Sequence, residues 1–156
     1  TKLSIIESGR KINEKMPDHT VELTSNAFKE CNKSIQNSEI LILGVSYKPN
    51  VKDIQLSPAE YIIEKFQNLG ANVHIYDPNF SSTEVFGIKV EDNLDDVLSK
   101  MDAAVIVTGH DDFKKIEISS FAKMKTPILI DTRGIIEPQS VKQYNIIFRG
   151  LGRGDF

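Results

Sequence analysis

The sequence predicts an α/β protein on a mainly parallel, doubly wound sheet, because three of its features agree. Short apolar runs at Ile40 to Leu43, Ala103 to Val107 and Ile128 to Asp131 have the length and content of strands buried on both faces. Amphipathic stretches separate these runs, as crossover helices require. Turn residues close each run, with Gly44, Asp77-Pro78, Gly109 and Gly134 falling where strands should end.

The pattern from Thr1 to about Ile35 is helical instead, with Val21, Phe28, Cys31 and Ile35 on one apolar stripe. Pro17, followed by Asp18 and Thr20, predicts two helices meeting there, with Pro17 in the first turn of the second. The change of pattern near residue 38 divides the chain into residues 1–37 and residues 38–156. In the second part Ile40 to Leu43 is the first strand. Ser57-Pro58-Ala59-Glu60 is a capping box with Pro at the first helical position, and it opens a helix whose buried stripe is Ala59, Ile62, Ile63, Phe66 and Leu69, stopped by Gly70. Val73 to Tyr76 is the next strand, and Ile88 to Val90 a short strand or extended segment. Leu94 to Ser99 is a short helix, Ala103 to Val107 a strand, and Ile128 to Asp131 and Ile146 to Phe148 two more.

At 156 residues the chain fits one domain with one core of ordinary size. Nineteen Lys and Arg are interspersed among twenty-two Asp and Glu, so no basic face for nucleic acid can be read. The longest apolar runs fall far short of the roughly 20 residues that cross a bilayer, so no membrane partner is expected. The single cysteine, Cys31, cannot form an internal disulfide, which fits a cytoplasmic location.

In doubly wound sheets ligands bind beyond the carboxyl ends of the strands, where the strand order reverses. Those ends are Gly44-Val45-Ser46-Tyr47-Lys48-Pro49-Asn50, Asp77-Pro78, Thr108-Gly109-His110 and Asp131-Thr132-Arg133-Gly134. The first lacks the G-x-G-x-x-G spacing that lets backbone approach a pyrophosphate, so side chains must do more of the binding. Lys48 offers an ammonium for phosphate, Arg133 a planar donor fork, and Tyr47 a ring to stack on a base. The alternative is that both cations are solvated surface groups. Asp77 stands where an acid often accepts from a ribose hydroxyl, but with the glycine fingerprint absent an Asp-Pro turn is the favoured role. His110 could exchange protons near neutral pH or serve as a structural donor. Cys31 sits on an apolar stripe without a histidine partner and reads as core. With no metal-ligand spacing and no paired carboxylates, these residues support binding, with no catalytic residue and no metal site.

The run Gly44 to Ala59 resembles the nucleotide-sugar dehydrogenase family, in which it reads approximately G-x-x-[FY]-K-P-N-x-x-D-x-R-x-S-P-A. Arg10 to Pro17, Tyr76-Asp77-Pro78, Thr108 to Phe113, Asp131 to Gly134 and the ending Arg149 to Gly154 agree with it in order. The resemblance covers essentially the whole chain. It implies a Rossmann-like UDP-sugar-binding domain over residues 38–156, preceded by the end of a helical central dimerisation domain. It also implies an NAD-dependent oxidation of a sugar alcohol to a carboxylate, with NAD held mainly by an earlier domain and the catalytic cysteine in a motif absent here. A homodimer or higher oligomer follows for the whole protein. By position Tyr47, Lys48 and Arg133 would contact the UDP-sugar, and Asp53 would order the loop. Gln55 stands where the family places Arg, which leaves cofactor contact by this chain unassigned. The forms R-x-I-N-x-x-M-P and Y-K-P-N-V-K-D resemble the UDP-N-acetylmannosamine branch, with UDP-glucose as the alternative substrate. A free-standing nucleotide-binding module without catalysis is the rival from another class. Residues 1 to 36 are expected to expose an apolar stripe and to self-associate there.

Overall fold

The structure, a computed structural model, describes residues 2–153. Thr1 and Gly154, which belong to the expected first helix and terminal motif, lie outside them. The chain runs through α1 (Lys2–Glu30), β1 (Glu39–Leu43), α2 (Pro58–Asn68), β2 (Asn72–Tyr76), β3 (Glu84–Val85) and β4 (Ile88–Lys89). It continues through α3 (Leu94–Leu98), β5 (Ala103–Ile106), a 3₁₀ turn at Asp111–Lys115, α4 (Ile118–Phe121), β6 (Ile128–Asp131), α5 (Pro138–Val141) and β7 (Ile147–Gly150).

Five strands form one sheet in the order β2-β1-β5-β6-β7, and every neighbouring pair is parallel. From β1 the chain first moves outward to β2, then crosses back over β1 to β5 and continues to β6 and β7. The order therefore reverses between β1 and β5. Side chains alternate across the sheet, so Ile40, Ile42, Ala103, Val105, Ile128 and Ile130 join one core with Val21, Phe28 and Phe66 from α1 and α2. Leu41, Leu43, Ala104, Ile106 and Leu129 enter a second core with Leu98, Phe121 and Val141 on the other face. Helices on both faces explain why these strands are apolar at every position. The expected fold class is the one observed.

The expected break at Pro17 is absent. α1 is one 29-residue helix with Pro17 inside it. Pro17 cannot donate to the Asn13 carbonyl, a loss usually worth about 3 kcal/mol in a helix interior. The helix nevertheless continues, because its second half is anchored. Val21, Ala27 and Phe28 are buried in the first core, and the Thr20 hydroxyl donates to the Met16 carbonyl at 3.0 Å just past the proline. Among the described residues the first half sends no side chain into either core, and Ile5, Ile6 and Ile12 are 74%, 56% and 61% exposed.

α2 begins where its sequence signals place it. Ser57 accepts from the Ala59 N–H at 3.2 Å, and Pro58 occupies the first turn. The return half of the expected capping box is replaced, since the Ser57 N–H donates to the Ile54 carbonyl at 3.1 Å. Ala59, Ile62, Ile63 and Phe66 are buried as expected, whereas Leu69 has become the exposed helix cap. The segment around Ile88 is the second strand of a two-stranded antiparallel ribbon, β3-β4, tied to the main sheet by a bridge between Val90 and Ile75.

Candidate functional site

A cavity of about 460 Å³ opens at the carboxyl edge of the sheet, beside the reversal between β1 and β5. The loop after β1 contributes Ser46, Tyr47 and Lys48, β5 is followed by Val107, and the loop after β6 contributes Thr132 and Arg133. The opposite wall is helical, with Asn13, Met16, Pro17 and Thr20 from α1 and Pro58 and Ile62 from α2. Its size falls within the range of sites for ligands as large as a nucleotide. The structure thus brings together Tyr47, Lys48 and Arg133, which lie far apart in sequence. Lys48 Nζ is 5.7 Å from the Tyr47 ring centroid, and Tyr47 is half exposed. Neither Lys48 nor Arg133 has a carboxylate partner among the described residues, so both charges are available to an anion.

Each loop is held by its own backbone chemistry. Gly44 has φ +87°, and a methyl group at its Cβ position would stand 2.6 Å from Thr108 Cβ. Only glycine allows that turn at that approach. The Tyr47 N–H donates to the Asp53 carbonyl at 2.7 Å, and the Asp53 carboxylate accepts from the Gln55 N–H at 2.9 Å, so Asp53 does order the loop. The buried Asp131 carboxylate accepts three backbone N–H bonds, from Arg133 and Gly134 at 2.9 Å and from Ile136 at 2.8 Å. It thereby sets the turn from which the Arg133 side chain departs.

Beneath the first loop lies a buried pair that no local sequence pattern marks. Asp77 Oδ2 meets His110 Nε2 at 3.0 Å, and both residues are about 1% exposed. The same carboxylate accepts from the N–H groups of Val45 at 2.8 Å and Asn79 at 2.9 Å. The Asn50 N–H donates to His110 Nδ1 at 2.8 Å. Nδ1 is then the acceptor, so the ring proton sits on Nε2 and points at Asp77. Burial alone would raise the Asp77 pKa, but the bonds from His110, Val45 and Asn79 outweigh it and hold the carboxyl below the usual range. With its oxygens occupied and its side chain outside the cavity wall, Asp77 does not offer itself to a ribose. The bond from Asn79 is the expected turn. The signal that could have revealed the pair is positional, since Asp77 and His110 both end strands that flank β1.

Gln55 is exposed on the same loop and does not line the cavity. Cys31 packs partly buried against the first core, just past the end of α1, and burial pushes its thiol up. No group of three or more His, Cys, Asp or Glu among the described residues could hold a metal ion. No helix among them is long and apolar enough to cross a membrane.

Residues 41–138 match the family model for the UDP-binding domain of UDP-glucose/GDP-mannose dehydrogenases. The chain belongs to the UDP-glucose/GDP-mannose dehydrogenase family. A UDP-N-acetyl-D-mannosamine dehydrogenase of Pyrococcus horikoshii is 36% identical over 152 residues, which are 97% of this chain and 34% of that protein. The solved structure of the same enzyme superposes with a TM-score of 0.82 over 94% of this chain and 33% of its own. The NDP-N-acetyl-D-galactosaminuronic acid dehydrogenase of Methanosarcina mazei superposes with a TM-score of 0.84 at 28% identity, over 92% of this chain and 30% of its own. A UDP-glucose 6-dehydrogenase of Bacillus subtilis is 30% identical over 155 residues, 96% of this chain and 32% of that protein. The chain therefore spans about a third of the length of these UDP-glucose/GDP-mannose dehydrogenase relatives.

Proposed function

We propose that this chain binds the UDP moiety of a nucleotide sugar, acting within an NAD-dependent dehydrogenase that oxidises UDP-N-acetyl-D-mannosamine to its uronate. The observation that carries the reading is the pair of cations without a carboxylate partner among the described residues, Lys48 and Arg133, on one cavity at the strand reversal. A diphosphate is the ligand such a pair suits, with Lys48 as a point charge and Arg133 as a bidentate donor. Tyr47 provides an aromatic face for the uracil.

These residues bind and orient. None of them attacks a sugar carbon, and Cys31, packed against the core, does not either. NAD supplies hydride acceptance in the proposed oxidation, but this chain does not fit it. The loop after β1 has a single glycine, which serves the contact with Thr108, and no cation stands at Gln55. Cofactor binding and the nucleophile would lie in the further two thirds of the family's length. Residues 1–37 would then be the end of a helical dimerisation region and residues 38–156 the UDP-binding domain of a cytoplasmic enzyme.

Calorimetric titration of the chain with UDP and with NAD tests this. UDP should bind and NAD should not, with UDP affinity falling in Lys48→Ala. Preference for NAD, or unchanged UDP binding in Lys48→Ala, would overturn it. The choice of N-acetylmannosamine over glucose rests on the greater identity to the Pyrococcus enzyme. Turnover of each UDP-sugar by the whole protein decides it.

A further inference from the structure

We propose that His110 is a positioning residue for the nucleotide site, holding the Tyr47–Asn50 loop through the Asn50 N–H while Asp77 fixes its tautomer. The inference rests on the UDP reading of that loop. His110 is outside the cavity lining, so it does not touch a ligand there, yet its Nδ1 holds the loop that carries Tyr47 and Lys48, and its Nε2 meets Asp77, which also anchors Val45 of that loop.

The loop would otherwise be poorly determined. Asn50 adopts φ +61°, a left-handed conformation that costs a non-glycine residue energy unless neighbours hold it. Three bonds do so. His110 Nδ1 takes the Asn50 N–H at 2.8 Å, the Asn50 amide donates to Asp111 Oδ2 at 3.1 Å, and the Asp111 N–H returns to Asn50 Oδ1 at 3.1 Å. At the other end of the loop the Thr108 hydroxyl donates to the Ser46 carbonyl at 2.6 Å, and Val45 donates to Asp77. Tyr47 and Lys48 thus hang between two fixed points, both tied to the loop after β5. The tie to the imidazole depends on its tautomer, since only an unprotonated Nδ1 accepts. The Nδ1–H tautomer would place N–H against N–H and release Asn50.

The charged groups around the imidazole act in known places. Asp77 faces Nε2, Asp111 is paired with Lys114 at 2.9 Å, and Asp112 with Lys115 at 3.1 Å. Lys48 lies on the held loop, and Arg133 packs beside Gly109 from the β6 side. The Phe113 ring closes the remaining edge at 5.2 Å between centroids.

Two amide substitutions separate the roles of the ring nitrogens. The Oδ1 of an asparagine sits near the Nδ1 position and keeps the acceptor for Asn50, whereas the amide nitrogen of a glutamine sits near Nε2 and keeps only the donor for Asp77. UDP affinity by calorimetry and exchange protection of the Asn50 amide by NMR are measured on the 156-residue chain. His110→Gln should lose Asn50 protection and bind UDP about tenfold or more weakly, as loss of one ordered contact predicts, while His110→Asn stays within about threefold of the parent. Equal behaviour of the two variants would overturn the proposal. Should His110→Gln not fold, the unsubstituted chain still decides through the nitrogen-15 shifts of the imidazole. An Nε2–H tautomer supports the relay and an Nδ1–H tautomer excludes it. If the parent fails to bind UDP while Asn50 is protected only when Nδ1 can accept, the UDP reading falls and the relay stands as loop chemistry without it, so the positioning role is overturned separately.

Discussion

Gly44 and Thr108 meet across the strand reversal so closely that a single added methyl would stand 2.6 Å from Thr108 Cβ and 2.9 Å from the Thr108 carbonyl oxygen. β1 and β5 leave the sheet side by side at this point, and the cavity opens between the loops they release. Gly44→Ala should therefore act twice, through the positive φ and through the collision. The expected loss is about 2–4 kcal/mol from a left-handed alanine plus overpacking. Urea unfolding measures it, and an unchanged midpoint would mean that the two strand ends can part without cost.

Lys48 and Arg133 should differ in how they fail. Lys48→Ala removes a charge without disturbing a hydrogen bond of the fold, so UDP affinity should drop about tenfold to a hundredfold at an unchanged melting temperature. Arg133→Lys keeps the charge and loses the fork, and should still weaken UDP several-fold because a point charge cannot hold a phosphate bidentately. Calorimetry on both variants checks this. Parent-like affinity in Arg133→Lys would show that only charge matters at that wall.

Asp77 gives the fold an acid limit. Its folded pKa lies below the ordinary carboxylate value, so its contribution is complete above that value and disappears as pH falls through it toward the depressed one. Asp77→Asn should cost about 2–4 kcal/mol at pH 7, where a buried bonded carboxylate is lost. The gap between parent and variant should close on acidification from pH 5 to pH 3. Denaturant titrations across that interval report it, and a constant gap would remove Asp77 from the acid response.

The exposed half of α1 should associate. Ile5 and Ile12 are two helical turns apart on one face, with Ile6 beside them, and all three are more than half exposed. Light scattering of the chain should show self-association that Ile12→Glu reduces. A monomer at high concentration would count against it.

The strands were legible because burial on both faces writes itself as an unbroken apolar run, and α2 because Ser57 and Pro58 mark its start with local chemistry. Tyr47, Lys48 and Arg133 could be grouped in advance for a topological reason. Each follows a strand of a parallel sheet, and all such ends share one edge. Pro17 misled because its local preference is for a helix start, while the packing of Val21 and Phe28 into one core with Ile40 and Ile42, distant in sequence, decides the outcome. The Asp77–His110 pair was illegible as a pair, since 33 residues separate its members and only the order β2-β1-β5 brings them together. The helical wall formed by Met16, Pro17 and Thr20 was hidden likewise, because the apolar stripe gives the buried face of α1 but not which strand ends it lies beside.

The unbroken course of α1 has a mechanical consequence. Met16 and Pro17 form part of the cavity wall, and Ile5 lies twelve residues earlier on the same rod, roughly 18 Å along its axis at 1.5 Å per residue. A hinge at the proline would have absorbed any displacement of the first half of α1. A continuous rod transmits it, so a body seated on Ile5 and Ile12 would act as a lever on the chamber that Lys48 and Arg133 line.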